Sequence, residues 1–263
     1  MKTVLVTGAS TGIGEACARH FANRGARVLA GVRKPGDAPD GTEEVLLDVT
    51  DAGAIASAAE RVELLDGLVD NAGIAVASPL EHLPLAELRR QLEVNVVGQL
   101  AVTQAFLAAL RAARGRIVIV GSIAGKSALP FLGAYAMSKH ALEAMADSLR
   151  MELAPDGIHV SLVEPGTIAT PIWTKPQPIA DELSTEGTER YGARIEAFRA
   201  VAAKRSGKAA SPELVVRAIE HALTAERPKT RYLVGRDAKI RATIERLPDR
   251  LRDRILTKAL LDS

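Results

Sequence analysis

Seven short apolar runs punctuate the chain, at residues 2–7, 27–31, 44–47, 67–69, 116–120, 159–164 and 232–234. Each is rich in β-branched residues or leucine and is nearly continuous rather than alternating, the pattern of a strand buried on both faces. Between most of them, apolar residues recur three or four apart. Ile13, Cys17 and Phe21 do so, as do Ile55, Ala58 and Val62, Leu85, Leu88 and Leu92, and Leu142, Ala146 and Leu149. That spacing predicts helices with one buried stripe. Strand and helix in alternation give an α/β chain with a parallel, doubly wound sheet. Two stretches break the rhythm. Residues 34–42 hold Pro35, Gly36, Pro39 and Gly41, which predicts a loop or a helical turn as the second crossover. Residues 172–210 are rich in Pro, Thr, Lys and Glu, with one helical pattern around Ile195, Phe198 and Val201, and read as an excursion over the sheet edge.

Composition narrows the class. A chain of 263 residues, 47% hydrophobic and 25% charged, fits one large domain with a sizeable core. Residues 1–235 form the expected catalytic body. Residues 236–263 carry Ile240, Ile244, Leu247, Leu251, Ile255 and Leu260 at helical intervals broken by Pro248, predicting two short amphipathic helices packed on that body. Basic residues in this tail would suit a membrane surface, but interspersed Asp237, Glu245, Asp249 and Asp253 favour packing on protein. No uninterrupted apolar run reaches the roughly 18 residues that cross a bilayer, and residues 2–6 lead into a glycine-rich turn rather than a signal cleavage site. The expectation is a cytoplasmic protein. A net charge of +2 and 3% aromatics argue against a nucleic-acid partner, and the single cysteine, Cys17, against a disulfide framework or a metal cluster.

The first candidate site is the turn Thr7-Gly8-Ala9-Ser10-Thr11-Gly12-Ile13-Gly14, which follows the first strand and opens a helix. Backbone N–H groups at such a helix start hold pyrophosphate. Gly8 would permit the tight turn, Gly12 the approach of phosphate and Gly14 close packing. An ordinary glycine-containing turn is the plainer reading. After the second strand the sequence runs Ala30-Gly31-Val32-Arg33, with no carboxylate to accept from an adenosine ribose. Arg33 instead offers a planar fork of donors to a 2′-phosphate, predicting NADPH over NADH.

Tyr135 and Lys139 stand four apart on a predicted helix and so share a face. A nearby ammonium stabilises a phenolate and would lower the tyrosine pKa toward useful acid–base values. A packed ring beside a solvated amine is equally natural. Ser122 ends the fifth predicted strand, where its hydroxyl could hold a substrate oxygen or merely cap a turn. Asn95 lies in the apolar stretch Leu92-Glu93-Val94-Asn95-Val96-Val97, where a buried amide must find partners, either in a site or in a helix kink.

Together these pieces closely resemble the short-chain dehydrogenase/reductase family over about residues 2–235. The matching segments are 7–14, Asp48-Val49-Thr50, Asn71-Ala72-Gly73, Asn95, Ser122, Tyr135 with Lys139, and Pro165-Gly166. The resemblance implies a single-domain Rossmann fold with strand order 3-2-1-4-5-6-7 and a nicotinamide cofactor across its carboxyl edge. It implies that Tyr135 protonates a carbonyl oxygen, Lys139 binds the nicotinamide ribose and lowers the tyrosine pKa, Ser122 orients the substrate oxygen, and Asn95 supports a water-linked proton relay. It assigns cofactor contacts to Gly8, Ser10, Thr11, Gly12, Ile13, Gly14 and Arg33. Asp48 and Val49 would meet the adenine; Asn71, Ala72 and Gly73 the adenosine-side ribose and sheet centre; Tyr135, Lys139, Pro165, Gly166, Ile168 and Thr170 the nicotinamide end. A homodimer or homotetramer is implied as well. Asp70 departs from the family, which has asparagine there, predicting altered local hydrogen bonding.

Residues 135–171 look most like the retinol and 17β-hydroxysteroid dehydrogenase branches, implying a small apolar alcohol or ketone as substrate. Ile172, Trp173, Ile179, Leu183, Tyr191 and Phe198 could line its pocket or pack the excursion on the sheet. The alternative from another class is a non-catalytic NADPH-binding sensor on the same fold, whose mark would be a damaged tetrad.

Overall fold

A computed structural model describes residues 2–173, 183–207 and 209–261. The strands are β1 (Thr3–Thr7), β2 (Arg27–Val32), β3 (Glu43–Leu46), β4 (Gly67–Asp70), β5 (Arg116–Val120), β6 (His159–Pro165) and β7 (Arg231–Val234). They form one seven-stranded sheet in the order β3-β2-β1-β4-β5-β6-β7. Every pairing is parallel. The order reverses between β1 and β4, and at that point the crossovers diverge and leave a crevice at the carboxyl edge.

The two faces of the sheet carry different side chains. Leu5, Leu29, Leu68, Ile117, Ile119 and Leu162 pack with α2 (Ala52–Ala59), α4 (Gly98–Ala113) and α5 (Gly133–Leu153). Val4, Val6, Val28, Ala30, Val69, Val118 and Val163 face α1 (Gly12–Ala22) and the helix Pro212–Thr224, here α7. The continuous apolar runs of the sequence thus divide into a larger and a smaller set, one per face, because successive side chains of a strand point oppositely. Cys17 is buried in the second layer, and burial pushes its thiol pKa up.

The 34–42 crossover has no helix, and its turns are closed by bonds such as Thr42 N–H to the Pro39 carbonyl at 3.2 Å. α3 (Leu85–Leu92) runs through a five-residue π segment, Glu93–Val97, into α4. The joined helix, Leu85–Ala113, is long and apolar enough to cross a membrane by length and composition, which the interrupted apolar pattern conceals. Its Val102, Phe106 and Leu110 pack in the sheet's core. The excursion becomes α6 (Thr185–Ser206), opened by Ser184, whose hydroxyl accepts from the Gly187 N–H. Beyond β7 come α8 (Arg236–Ile244) and α9 (Asp249–Leu261). α8 packs near β7, and α9 lies against α6 with Leu256 and Leu260 buried.

Candidate active site

At the glycine turn, Gly8 and Gly12 adopt φ of +63°, a left-handed conformation that glycine enters without strain. A Cβ on Gly14 would lie 2.2 Å from the Gly8 carbonyl oxygen and 2.5 Å from Asn71 Nδ2, so Gly14 serves turn closure as well as helix packing. Thr11, the N-cap of α1, makes no side-chain capping bond. The first N–H groups of the helix therefore face the crevice without a capping side chain, which is what an anionic ligand requires.

A cavity of about 580 Å³ opens there. Gly8, Ser10, Thr11, Gly12 and Ile13 line one wall, Arg33, Asp48 and Val49 another, and Asn71, Ala72, Gly73 and Thr170 the rest. The residues expected to meet the phosphates, the adenine end and the sheet centre are thus gathered around one space, Gly14 excepted. Burial raises the Asp48 carboxyl, but hydrogen bonds from Thr50 and the Arg33 charge outweigh it and hold the pKa low. Asn71 is more tied than expected: its amide nitrogen donates to the carbonyls of Thr7 at 2.9 Å and Gly8 at 3.2 Å, stapling β4 to the turn. Sequence reasoning missed Arg90 and Glu93, which also line the cavity.

The segment after β4 is irregular, so its backbone polar groups need side-chain partners. Asn95 supplies two bonds, accepting from Ile74 N–H at 2.8 Å and donating to the Ile74 carbonyl at 3.0 Å. It donates as well to the Ser138 hydroxyl of α5 at 3.1 Å. Gln91 holds Val76 N–H and the Ile74 carbonyl, and Gln99 the Ala72 carbonyl. These three residues, each four apart on one helix, clamp the segment. The Asn95 side chain, in the π segment, is committed to positioning rather than to the phenol.

Asp70 ends β4 and is fully buried. Thr103 donates to its Oδ2 at 2.7 Å, whereas Oδ1 and the nearby helix's Gln99 Oε1 have no partner among the described residues. Burial, against the Thr103 bond, pushes the Asp70 pKa up to about 7.

Ser122 and Tyr135 line a second cavity, of about 790 Å³, with Gly166 and Thr167. The turn reading of Ser122 holds, since its oxygen accepts from Ala124 N–H at 3.1 Å as a cap, and its side chain also hydrogen-bonds the Tyr135 phenol. Lys139 is buried, its Nζ 5.7 Å from the Tyr135 ring centre and donating to the Val120 carbonyl at 2.8 Å. Burial pushes the Tyr135 phenol up to about 12, opposed by the Ser122 hydrogen bond and by the charge of Arg241. Burial likewise lowers Lys139 to about 8, because an ammonium loses its water there.

Pro165 ends β6, Gly166 N–H donates to the Val234 carbonyl at 2.8 Å, and Ile168 is buried in a parallel bridge with Ala210. Of these, Gly166 lines the second cavity. Phe198 of the suggested pocket residues lines the second cavity, while Ile172 lines the first. Ile179 and the Trp173 side chain lie outside the described part. Tyr191 packs edge-on against Phe131 and hydrogen-bonds Glu81.

The model of the short chain dehydrogenase family matches residues 2–181, two-thirds of the chain. The chain belongs to that family. This short-chain dehydrogenase/reductase is an oxidoreductase. It is 35% identical to an NADPH-dependent 3-dehydrocapnine reductase of Ornithobacterium rhinotracheale, over 99% of this chain and 98% of the relative. It is 38% identical to human retinol dehydrogenase 16, over 91% of this chain and 82% of the relative. Among solved structures it resembles a short chain dehydrogenase from Burkholderia cenocepacia in complex with NADP. The TM-score is 0.76 and the identity 28%, with both chains covered in full.

Proposed function

We propose that this enzyme interconverts a ketone or aldehyde and the corresponding alcohol with NADP(H), and that Tyr135 exchanges the proton. The observation that carries the reading is the Ser122–Tyr135 hydroxyl pair on the wall of the larger cavity. The uncapped start of α1, the Gly12 cradle and Arg33 fit a dinucleotide bearing a 2′-phosphate. Gly8, Ser10, Thr11, Gly12 and Ile13 would take its phosphates, and Asp48 and Val49 its adenine. The bound nicotinamide supplies the hydride.

Ser122 holds the carbonyl oxygen while Tyr135 donates its proton to that oxygen as negative charge develops. A phenol with pKa about 12 is protonated at neutral pH and enters the reaction as a donor, which suits carbonyl reduction. Lys139 and Arg241 are the cations placed to stabilise the phenolate left behind. The aliphatic and aromatic lining by Leu129, Phe131, Leu132, Ile195 and Phe198 favours a substrate with an apolar body. We take the assembly to be a homodimer or homotetramer, in keeping with exposed Val97, Met137 and Met151 on the π segment and α5; light scattering checks it.

NADPH consumption by wild type and Tyr135→Phe on a panel of steroid, retinoid and simple ketones tests the reading. Equal turnover in the two proteins would refute the mechanism, and no consumption by either would favour a sensor.

A further inference from the structure

We propose that the substrate carries an oxyanion in addition to its carbonyl and apolar body, and that Arg241 is the residue that holds this anion. The inference rests on the carbonyl reading of the same site and narrows it to a substrate class.

The charge of the larger cavity is one-sided. Among the described residues lining it are Arg199, Arg205 and Arg241 but no aspartate or glutamate. Arg199 is exposed and pairs with Glu196 at 3.0 Å. Arg205 and Arg241 are half-buried. Arg241 donates from Nε to the Ser127 hydroxyl at 3.3 Å and from Nη2 to the Ser127 carbonyl at 2.5 Å. Those bonds occupy one edge of the guanidinium. Among the described residues no hydrogen bond uses Nη1, so the end formed by Nη1 and Nη2 keeps donors for a carboxylate, sulfonate or phosphate.

Ser127 is fully buried, and Asp237, one turn before Arg241 on α8, accepts from the Thr167 N–H at 2.6 Å. Arg241 is therefore fixed from both sides, against the segment after Ser122 and the loop after β6. Asp237 and Glu245 act on it through space, without an ion pair among the described residues, and Arg205 opposes them. Burial lowers the guanidinium to about 10, the mark of a cation short of counter-charge. Because Arg241 and Tyr135 line the same cavity, an anion held by Arg241 belongs to the molecule whose carbonyl meets the phenol. The apolar remainder fits Phe131 and Phe198, whose rings meet edge-on at 5.7 Å.

Pairs of ketones differing in one group test this: long-chain oxo-carboxylates against their methyl esters, with NADPH. The wild type should favour acid over ester at least tenfold in kcat/KM, mainly through KM. Arg241→Gln should cut that ratio at least tenfold, and Arg241→Lys should keep part of it. A wild-type ratio at or below one, or a ratio unchanged by Arg241→Gln, overturns the inference. The melting-temperature rise of the NADPH complex on adding acid or ester reads the same preference without turnover, and melting of each variant alone checks folding. If Arg241→Gln does not fold, the wild-type acid-to-ester ratio and Arg241→Lys still decide. Absent acid preference with turnover lost in Tyr135→Phe sinks the anion site alone; preserved preference with turnover surviving Tyr135→Phe sinks the carbonyl mechanism instead.

Discussion

The cleft between the glycine turn and Val49 and the cavity beside Tyr135 both lie at the carboxyl edge of one sheet, yet they are built by different means. The cleft takes its main walls from turns directly after strands, at residues 8–13, 31–33, 47–50 and 71–75. Its chemistry is backbone amides, small residues and a few charged side chains, Arg33 and Arg90 with Asp48 and Glu93. The larger cavity takes residues 122–135 and 166–167 from the sheet edge, but its outer wall from α6, Arg241 of α8 and Leu260 of α9. Turn geometry is local and leaves little freedom once the strand is placed. A cavity wall made of docked amphipathic helices can change its side chains without disturbing the sheet. One site is thus constrained by the fold, and the other is open to specialisation.

The largest effect should come from the proton donor in the larger cavity. Tyr135→Phe is expected to lower kcat by about 10³-fold, the usual worth of a positioned proton donor, as read by NADPH consumption. A loss below tenfold would move the chemistry elsewhere. Gly14→Val attacks the cleft at its tightest point, since even a Cβ there would lie 2.2 Å from the Gly8 carbonyl. It should cost about 1–3 kcal/mol of stability and abolish NADPH binding in a fluorescence titration. Retained binding would show that the turn does not hold the phosphates. Arg33→Ala should lower kcat/KM for NADPH about 10-fold, matching the loss of one charge-assisted hydrogen bond, with a smaller change for NADH. Equal losses with both would make Arg33 a bystander.

The smallest effect probes the floor of the cleft. Asp70 has its pKa raised by burial from 3.8 to about 7, so between those values the folded state binds more protons than the unfolded one. Stability contributed by this group is present at low pH and is lost as pH rises through about 7. Asp70→Asn should remove that slope and stabilise the protein at pH 8 by about 1–2 kcal/mol. Urea unfolding at pH 5 and pH 8 measures it, and an unchanged slope would mean the carboxyl stays ionised.

Much of this was legible in the chain. The seven strands fall within two residues of their apolar runs, because the central strands are buried on both faces and leave an unbroken pattern, although the edge strand β3 is largely exposed. Their order followed from the family resemblance, since no local pattern encodes which strand neighbours which. Asn95 was legible as a buried amide in need of partners, but Gln91 and Gln99, four residues to either side on the same face, carried a signal that went unread. Arg241 carried none, being one arginine among many in a basic, amphipathic tail.

By itself the sequence determined the alternation of strands and helices, the glycine turn and the pairing of Tyr135 with Lys139, because each depends on residues close along the chain. Only the tertiary structure decided that burial raises the Tyr135 pKa, that Asn95 is spent on Ile74 and Ser138, and that a tail arginine shares the cavity of Ser122 and Tyr135. Desolvation and long-range contact arise from packing, and no window of the sequence contains the partners that produce them.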